Sequence, residues 1–138
     1  MSRPLSRGLR NNNPGNIRRS RVRYKGEVRP SRDPDFKEFE TMAYGYRAMF
    51  VLLDTYRSRY GLDTIRRMLY RYAPPEENFT DGYVRFVANY SGVMPDKPID
   101  TRCQGDMIPI VAAMSKIENG VSANRDEVLQ GWDLFVGK

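Results

Sequence analysis

Any catalysis by this chain must run without imidazole: its 138 residues include no histidine and a single cysteine, Cys103. Serine–histidine and cysteine–histidine nucleophiles are thereby excluded, as are mixed Cys/His metal sets. One Cys also cannot close an internal disulfide. Carboxylates, Tyr, Lys, Ser and backbone donors remain. The most unusual stretch is Asn11-Asn12-Asn13-Pro14-Gly15-Asn16-Ile17-Arg18. Each Asn amide offers a donor and an acceptor, which suits sugar hydroxyls and N-acetyl groups. Asn and Gly also tolerate turn geometry, so a plain turn is the competing reading. There are nine tyrosines, more than a core of this size requires. Tyr24, Tyr44, Tyr46, Tyr83 and Tyr90 are candidates for stacking on sugar rings, with core packing as the alternative.

The net charge is +6, and it is unevenly placed. Arg3, Arg7, Arg10, Arg18, Arg19, Arg21, Arg23 and Lys25 all precede the first acid, Glu27, and the remainder is slightly acidic. Residues 1–10 read as a basic, flexible arm. Such an arm suits a polyanion, either nucleic acid or a bacterial wall with its peptide carboxylates and teichoic acids; a solvated tail is the bland alternative. No apolar run approaches the ~20 residues that span a membrane. The opening MSRPLSRGLR lacks the apolar stretch of a secretory signal. Synthesis in a cytoplasm is therefore expected, with delivery to any wall by a holin, a virion or a secretion machine.

The elements that must position these groups are mostly helical. Residues 1–35 are polar and read as loop, with short strands around Val22–Tyr24 and Glu27–Arg29. From Ala43, the residues Tyr46, Met49, Phe50, Leu53, Tyr56 and Tyr60 recur at helical spacing up to a stop at Gly61. Asp63 is the expected cap of a second helix, with Ile65, Met68, Leu69 and Tyr72 inward and Pro74-Pro75 as its end. Thr80 or Asp81 caps a third, with Tyr83, Val84, Val87 and Tyr90 inward and Ser91-Gly92 as its stop. A fourth runs from Asp106 to Glu118 with Pro109 in its first turn, and ends at Asn119-Gly120. Asn124 caps a fifth, which carries Val128, Leu129, Trp132 and Phe135. The expected fold is a mainly α single domain over 1–138: about five helices after a polar N-terminal lobe of loop and short strand.

The string Gly8-Leu9-Arg10-Asn11-Asn12-Asn13-Pro14-Gly15-Asn16-Ile17-Arg18 resembles the opening of small phage and prophage proteins. These are often labelled virion structural proteins and are grouped with lysozyme-like transglycosylases. The likeness continues through Phe36 and Phe39, then Tyr44-Gly45-Tyr46-Arg47-Ala48. It resumes over Arg71-Tyr72-Ala73-Pro74-Pro75-Glu76-Glu77-Asn78-Phe79-Thr80 and ends on Ile117-Glu118-Asn119-Gly120. Two positions depart from it: Tyr72, where the family carries Trp, and Phe79, where it carries an acid. The Asn-rich block is also similar to a segment of bacterial wall glucosaminidases that follows their catalytic glutamate helix. Here no acid precedes Asn11. The segment from Val111 to Ala123, however, is an apolar helix ending in Glu118. It resembles the helix end of lysozyme-like enzymes, where a Glu closes a buried helix. The resemblance thus implies a lysozyme-like fold in circularly permuted order, with the acid helix last and the Asn-rich segment first.

That resemblance implies cleavage of the glycan strand of peptidoglycan, by a muramidase or a lytic transglycosylase, with no cofactor and no metal. Glu118 would be general acid and base, with Glu77 or Glu76 as alternatives. A Glu packed among apolar groups is held protonated and can protonate a glycosidic oxygen. A transglycosylase needs no second carboxylate; a hydrolase would draw one from Glu38, Glu40, Glu76 and Glu77. Asn12, Asn13, Asn16, Asn78 and Asn119, with Tyr44 and Tyr46, are the candidate substrate contacts. Peptidoglycan is the expected partner, together with other virion proteins. Two competing readings stay open: a non-catalytic virion or wall-binding component, and a basic nucleic-acid-binding protein, which would lose affinity steeply with salt.

Overall fold

The computed structural model describes residues 5–137. In chain order the elements are α1 (Arg7–Arg10), β1 (Glu27–Val28), β2 (Glu38–Phe39), α2 (Met42–Tyr60), α3 (Ile65–Tyr72), α4 (Thr80–Ser91), α5 (Gln104–Asn119) and α6 (Arg125–Val136). The fold is mainly α. The five expected helices are present, and α1 is a short sixth.

Local chemistry sets most of their ends. Gly61, Gly92 and Gly120 take left-handed conformations at the C-caps of α2, α4 and α5, where a side chain would be strained. Asn124 caps α6 by accepting from the Glu127 N–H. Three starts differ from expectation. Thr64, not Asp63, caps α3 through its hydroxyl. Phe79 holds the cap position of α4 without a side-chain bond, and the Thr80 hydroxyl instead donates to the Ala73 carbonyl. Helix α5 begins at Gln104, before Asp106, so Pro109 lies beyond its first turn.

The core is built from the inward faces of these helices. Met49, Phe50, Leu53, Met107, Val111, Met114 and Val128 are buried. Helix α6 lies close against α2 because residue 131 is Gly: a Cβ there would stand 2.6 Å from the Tyr46 Cβ and 2.9 Å from the Ala43 carbonyl oxygen. Trp132 meets Phe50 edge-on at 5.0 Å. Two residues expected inside face solvent, Tyr60 at the end of α2 and Tyr90 on α4. No helix among the described residues is long and apolar enough to cross a membrane.

The N-terminal lobe is held by ions rather than by sheet. Strands β1 and β2 pair antiparallel over two residues each, Glu27 opposite Phe39 and Val28 opposite Glu38. The expected strand at Val22–Tyr24 does not form. Instead the carbonyl of Val22 accepts from the Lys37 ammonium at 2.7 Å, which is buried and paired with Glu27 at 3.1 Å. Burial disfavours the Glu27 carboxylate, but the Tyr24 N–H, Lys37 and Arg29 outweigh it and leave Glu27 below the usual range.

Nor does the basic arm behave as a tail. Arg3 lies outside the described residues. From Ser6 onward the arm is folded: the Ser6 hydroxyl caps α1 and donates to Asn119 Oδ1 at 2.6 Å. Arg7 makes two 2.6 Å bonds to Asp33 and one to Asp35. The Arg7 bonds, helped by backbone N–H groups and Asn11, hold the Asp33 carboxyl far below its ordinary 3.8. A depressed carboxyl contributes stability above its unfolded value and loses it as pH falls. Asp33→Asn is therefore expected to lower Tm at pH 7, with the gap to wild type narrowing as pH drops below 3.8. Thermal melts across pH 2–7 test this; a pH-independent gap would refute the ionic account.

Candidate functional site

The end of α5 and the Asn-rich loop meet at one point. Glu118 occupies the last turn of α5, where outward-facing carbonyls disfavour a negative charge. Its Oε1 accepts from the Asn16 amide at 2.9 Å, and its Oε2 accepts from the Tyr83 hydroxyl at 2.9 Å. Burial pushes the Glu118 carboxyl up, and the Asn16 and Tyr83 bonds only partly offset it. Burial, with the nearby Glu118 charge, also raises the Tyr72 and Tyr83 hydroxyls well above their ordinary value. Both therefore stay protonated and act as donors.

Asn16 reaches this position because the loop carrying it is braced on every side. Asn12 and Asn16 adopt left-handed backbone, φ 50° and 48°, which Asn tolerates better than most residues. The Tyr72 hydroxyl donates to the Gly15 carbonyl. A side chain at residue 15 would press on the Tyr72 hydroxyl and on Met49. Asn119 Nδ2 donates to the Pro14 carbonyl at 2.8 Å. The Asn-rich loop can lie on α2 because residue 45 is Gly, whose Cβ would fall against the Asn12 carbonyl and 2.6 Å from Pro14 Cδ.

Glu118 opens onto a cleft of about 410 Å³. Tyr24, Tyr56, Tyr72 and Phe36 give it aromatic walls, and Asn16, Arg18, Glu77 and Asn78 supply polar edges. An acid with one lone pair free on each oxygen, at the wall of an aromatic-lined cleft, can give a proton to a bound ether oxygen and take one back.

The expected site residues divide into two groups. Glu118, Asn16, Asn78 and Glu77 share the cleft. Glu77 is exposed on its rim, 3.3 Å from Arg18, while Glu76 is exposed and outside it. The other expected contacts turn out to be internal braces. Asn13 is fully buried and bonds the Ile17 and Lys37 carbonyls and the Ile17 N–H. Asn12 donates to the Phe39 and Glu40 carbonyls. Asn119 holds Ser6, Pro14 and its own helix. Tyr46 is buried against the Ser115 hydroxyl at 2.8 Å, and Tyr44 packs beside Gly26. The three Asn amides and the Tyr46 hydroxyl are engaged by the chain, and none of these five residues lines the cleft. Glu38 is buried and bound by Arg32, whose hydrogen bonds lower its carboxyl. Glu40 lies outside the cleft.

Tyr72 and Tyr56 were expected only as core, yet Tyr72 holds the Asn16 loop and both wall the cleft. The signal for Tyr72 lay in its place beside the Ala73-Pro74-Pro75 turn, which brings the end of α3 to the cleft.

No model of a known protein family matches the chain. It is similar to a protein of Pseudoalteromonas phage PM2 called Protein P5, 38% identical over 133 residues that cover 93% of this chain and 81% of that protein.

Proposed function

The chain belongs to the bacteriophage family of Protein P5 of phage PM2, and from that premise we propose that it is a lysozyme-like enzyme cleaving the glycan strand of peptidoglycan. The observation that carries this reading is the Glu118 carboxyl, raised by burial, held between Asn16 and Tyr83, and open to an aromatic cleft. The meeting of a late acid helix with an early Asn-rich loop is what a circularly permuted lysozyme-like order would give.

In this reading the protonated Glu118 gives its proton to the glycosidic oxygen. The C1–O bond breaks and its electron pair leaves with the departing sugar as a hydroxyl. The Asn16 and Tyr83 donors hold the resulting carboxylate. The substrate's own C6 hydroxyl attacks C1 and returns a proton to Glu118, closing a 1,6-anhydro ring. A lytic transglycosylase is favoured over a hydrolase because Glu77, the other carboxylate in the cleft, is solvated and paired with Arg18. Digestion of purified peptidoglycan, with mass analysis of the released fragments, tests the proposal. Anhydro-muramyl ends are expected. Reducing ends would make it a hydrolase. Intact sacculi that nevertheless retain the protein would leave a wall-binding virion component.

The pH profile carries a signature of the two donors. Activity needs protonated Glu118, so it should fall as pH rises through the raised value. The Tyr83 hydroxyl favours the ionised form, and Tyr24, Tyr56, Tyr72, Arg18 and Glu77 are the other titratable groups at the cleft. Tyr83→Phe is expected to shift the basic limb to higher pH. A shift to lower pH, or none, would show that Tyr83 does not set the acid's ionisation.

A further inference from the structure

The Glu118 cleft does not end at its aromatic wall. Val22, Tyr24, Leu52 and Tyr56 also floor an adjoining groove of about 500 Å³. Four cations converge on this second groove: Arg23 and Lys25 from the loop before β1, Arg47 from α2 and Arg71 from α3. No acid lines it. Among the described residues none of the four joins an ion pair. Arg71 is held in a fixed attitude. The Arg71 guanidinium lies 4.0 Å over the Tyr60 ring and 5.4 Å from Tyr56, which leaves its N–H edge for a planar anion. Arg47 Nε is buried without a hydrogen-bond partner in the chain, although buried donors are nearly always satisfied.

We propose that this groove is a carboxylate subsite, which takes the stem peptides carried by a glycan strand lying in the Glu118 cleft. The proposal rests on the glycan-cleaving reading of that cleft. A strand threaded past Glu118 carries peptide branches with free carboxylates, and the shared floor places the cations beside that path. Guanidinium groups match planar carboxylates through paired hydrogen bonds. Nucleic acid fits less well, because a polyphosphate running along the same floor would meet Glu77 and Glu118.

The test is binding, read separately from cleavage. Glu118→Gln protein is sedimented with sacculi freed of phosphate-bearing polymers. The comparison is with the same sacculi after an amidase has removed the stem peptides. Tighter binding to the peptide-bearing form, on the order of tenfold for several screened charge contacts, is expected. That preference should vanish in a protein also carrying Arg23→Gln, Lys25→Gln and Arg71→Gln, all exposed positions. Equal binding to both preparations would overturn the subsite, as would a preference that survives the triple substitution. Displacement by duplex DNA but not by free stem peptide would reassign the groove to nucleic acid. Wild-type protein that leaves sacculi uncut yet prefers the peptide-bearing form would defeat the catalytic reading and keep the subsite.

Discussion

Glu118→Gln is expected to reduce glycan cleavage by about 10²–10⁴-fold, the usual worth of a positioned general acid, while making the folded protein more stable at neutral pH. The two effects have one cause. The Glu118 carboxyl is raised by burial, so its ionisation is harder in the folded chain than in the unfolded one. A raised group contributes its full stability below its unfolded value, and that contribution is lost as pH rises through the folded value. The wild type should therefore melt lower at pH 7 than the variant, and the difference should shrink toward pH 4.5, the ordinary Glu value. Gln keeps the shape: its amide oxygen can accept from Asn16, while its amide N–H can donate to the Tyr83 hydroxyl oxygen. Muropeptide release and melting curves at pH 4–8 measure both sides. A variant that loses activity and also melts lower throughout would mean that Glu118 is a structural bond, not a strained acid.

Asn13→Ala should be the most damaging change in the Asn-rich segment. Its amide makes bonds of 3.0, 2.9 and 2.9 Å, to the Ile17 carbonyl, to the Lys37 carbonyl and from the Ile17 N–H, at a fully buried position. Alanine leaves the Ile17 N–H and the Lys37 carbonyl unpaired, while the Ile17 carbonyl keeps its bond from the Lys37 N–H. At about 1–3 kcal/mol for each unsatisfied group the loss reaches roughly 2 kcal/mol or more, out of a total stability of about 5–15 kcal/mol. A fall in Tm of about 6 °C or more follows for a chain of this size. Activity should fall further, since the Asn16 N–H bonds the Asn13 carbonyl and the loop sets Asn16 against Glu118. A melt within about 3 °C of wild type would refute this account and return Asn13 to the surface-contact role expected from its residue type.

That reversal explains what was legible in advance. Helix ends were readable because their causes are local: Gly61, Gly92 and Gly120 stop helices by backbone freedom, and Asn124 caps one through its own side chain. α1 and β2 were missed because four residues and two residues carry no usable period. Asn12, Asn13 and Asn119 were recognised as unusual but assigned outward. An amide that would bind a sugar and one that braces a loop offer the same donor and acceptor, and only tertiary burial separates them. Glu118 stood out through its likeness to a lysozyme-type helix end. Its neighbours Asn16 and Tyr83 lie 102 and 35 residues away in the chain, beyond the reach of any spacing argument.

The 102-residue separation of Asn16 from Glu118 also sets when the site can exist. A ribosome adding roughly 5–20 residues per second makes the Asn-rich loop several seconds before the acid that completes the site. During that interval neither Glu118 nor Asn119 is present to hold the loop. A stalled or truncated nascent chain lacking α5 therefore carries no acid at the cleft. A producing cell would meet the assembled acid only in chains that have passed the end of α5.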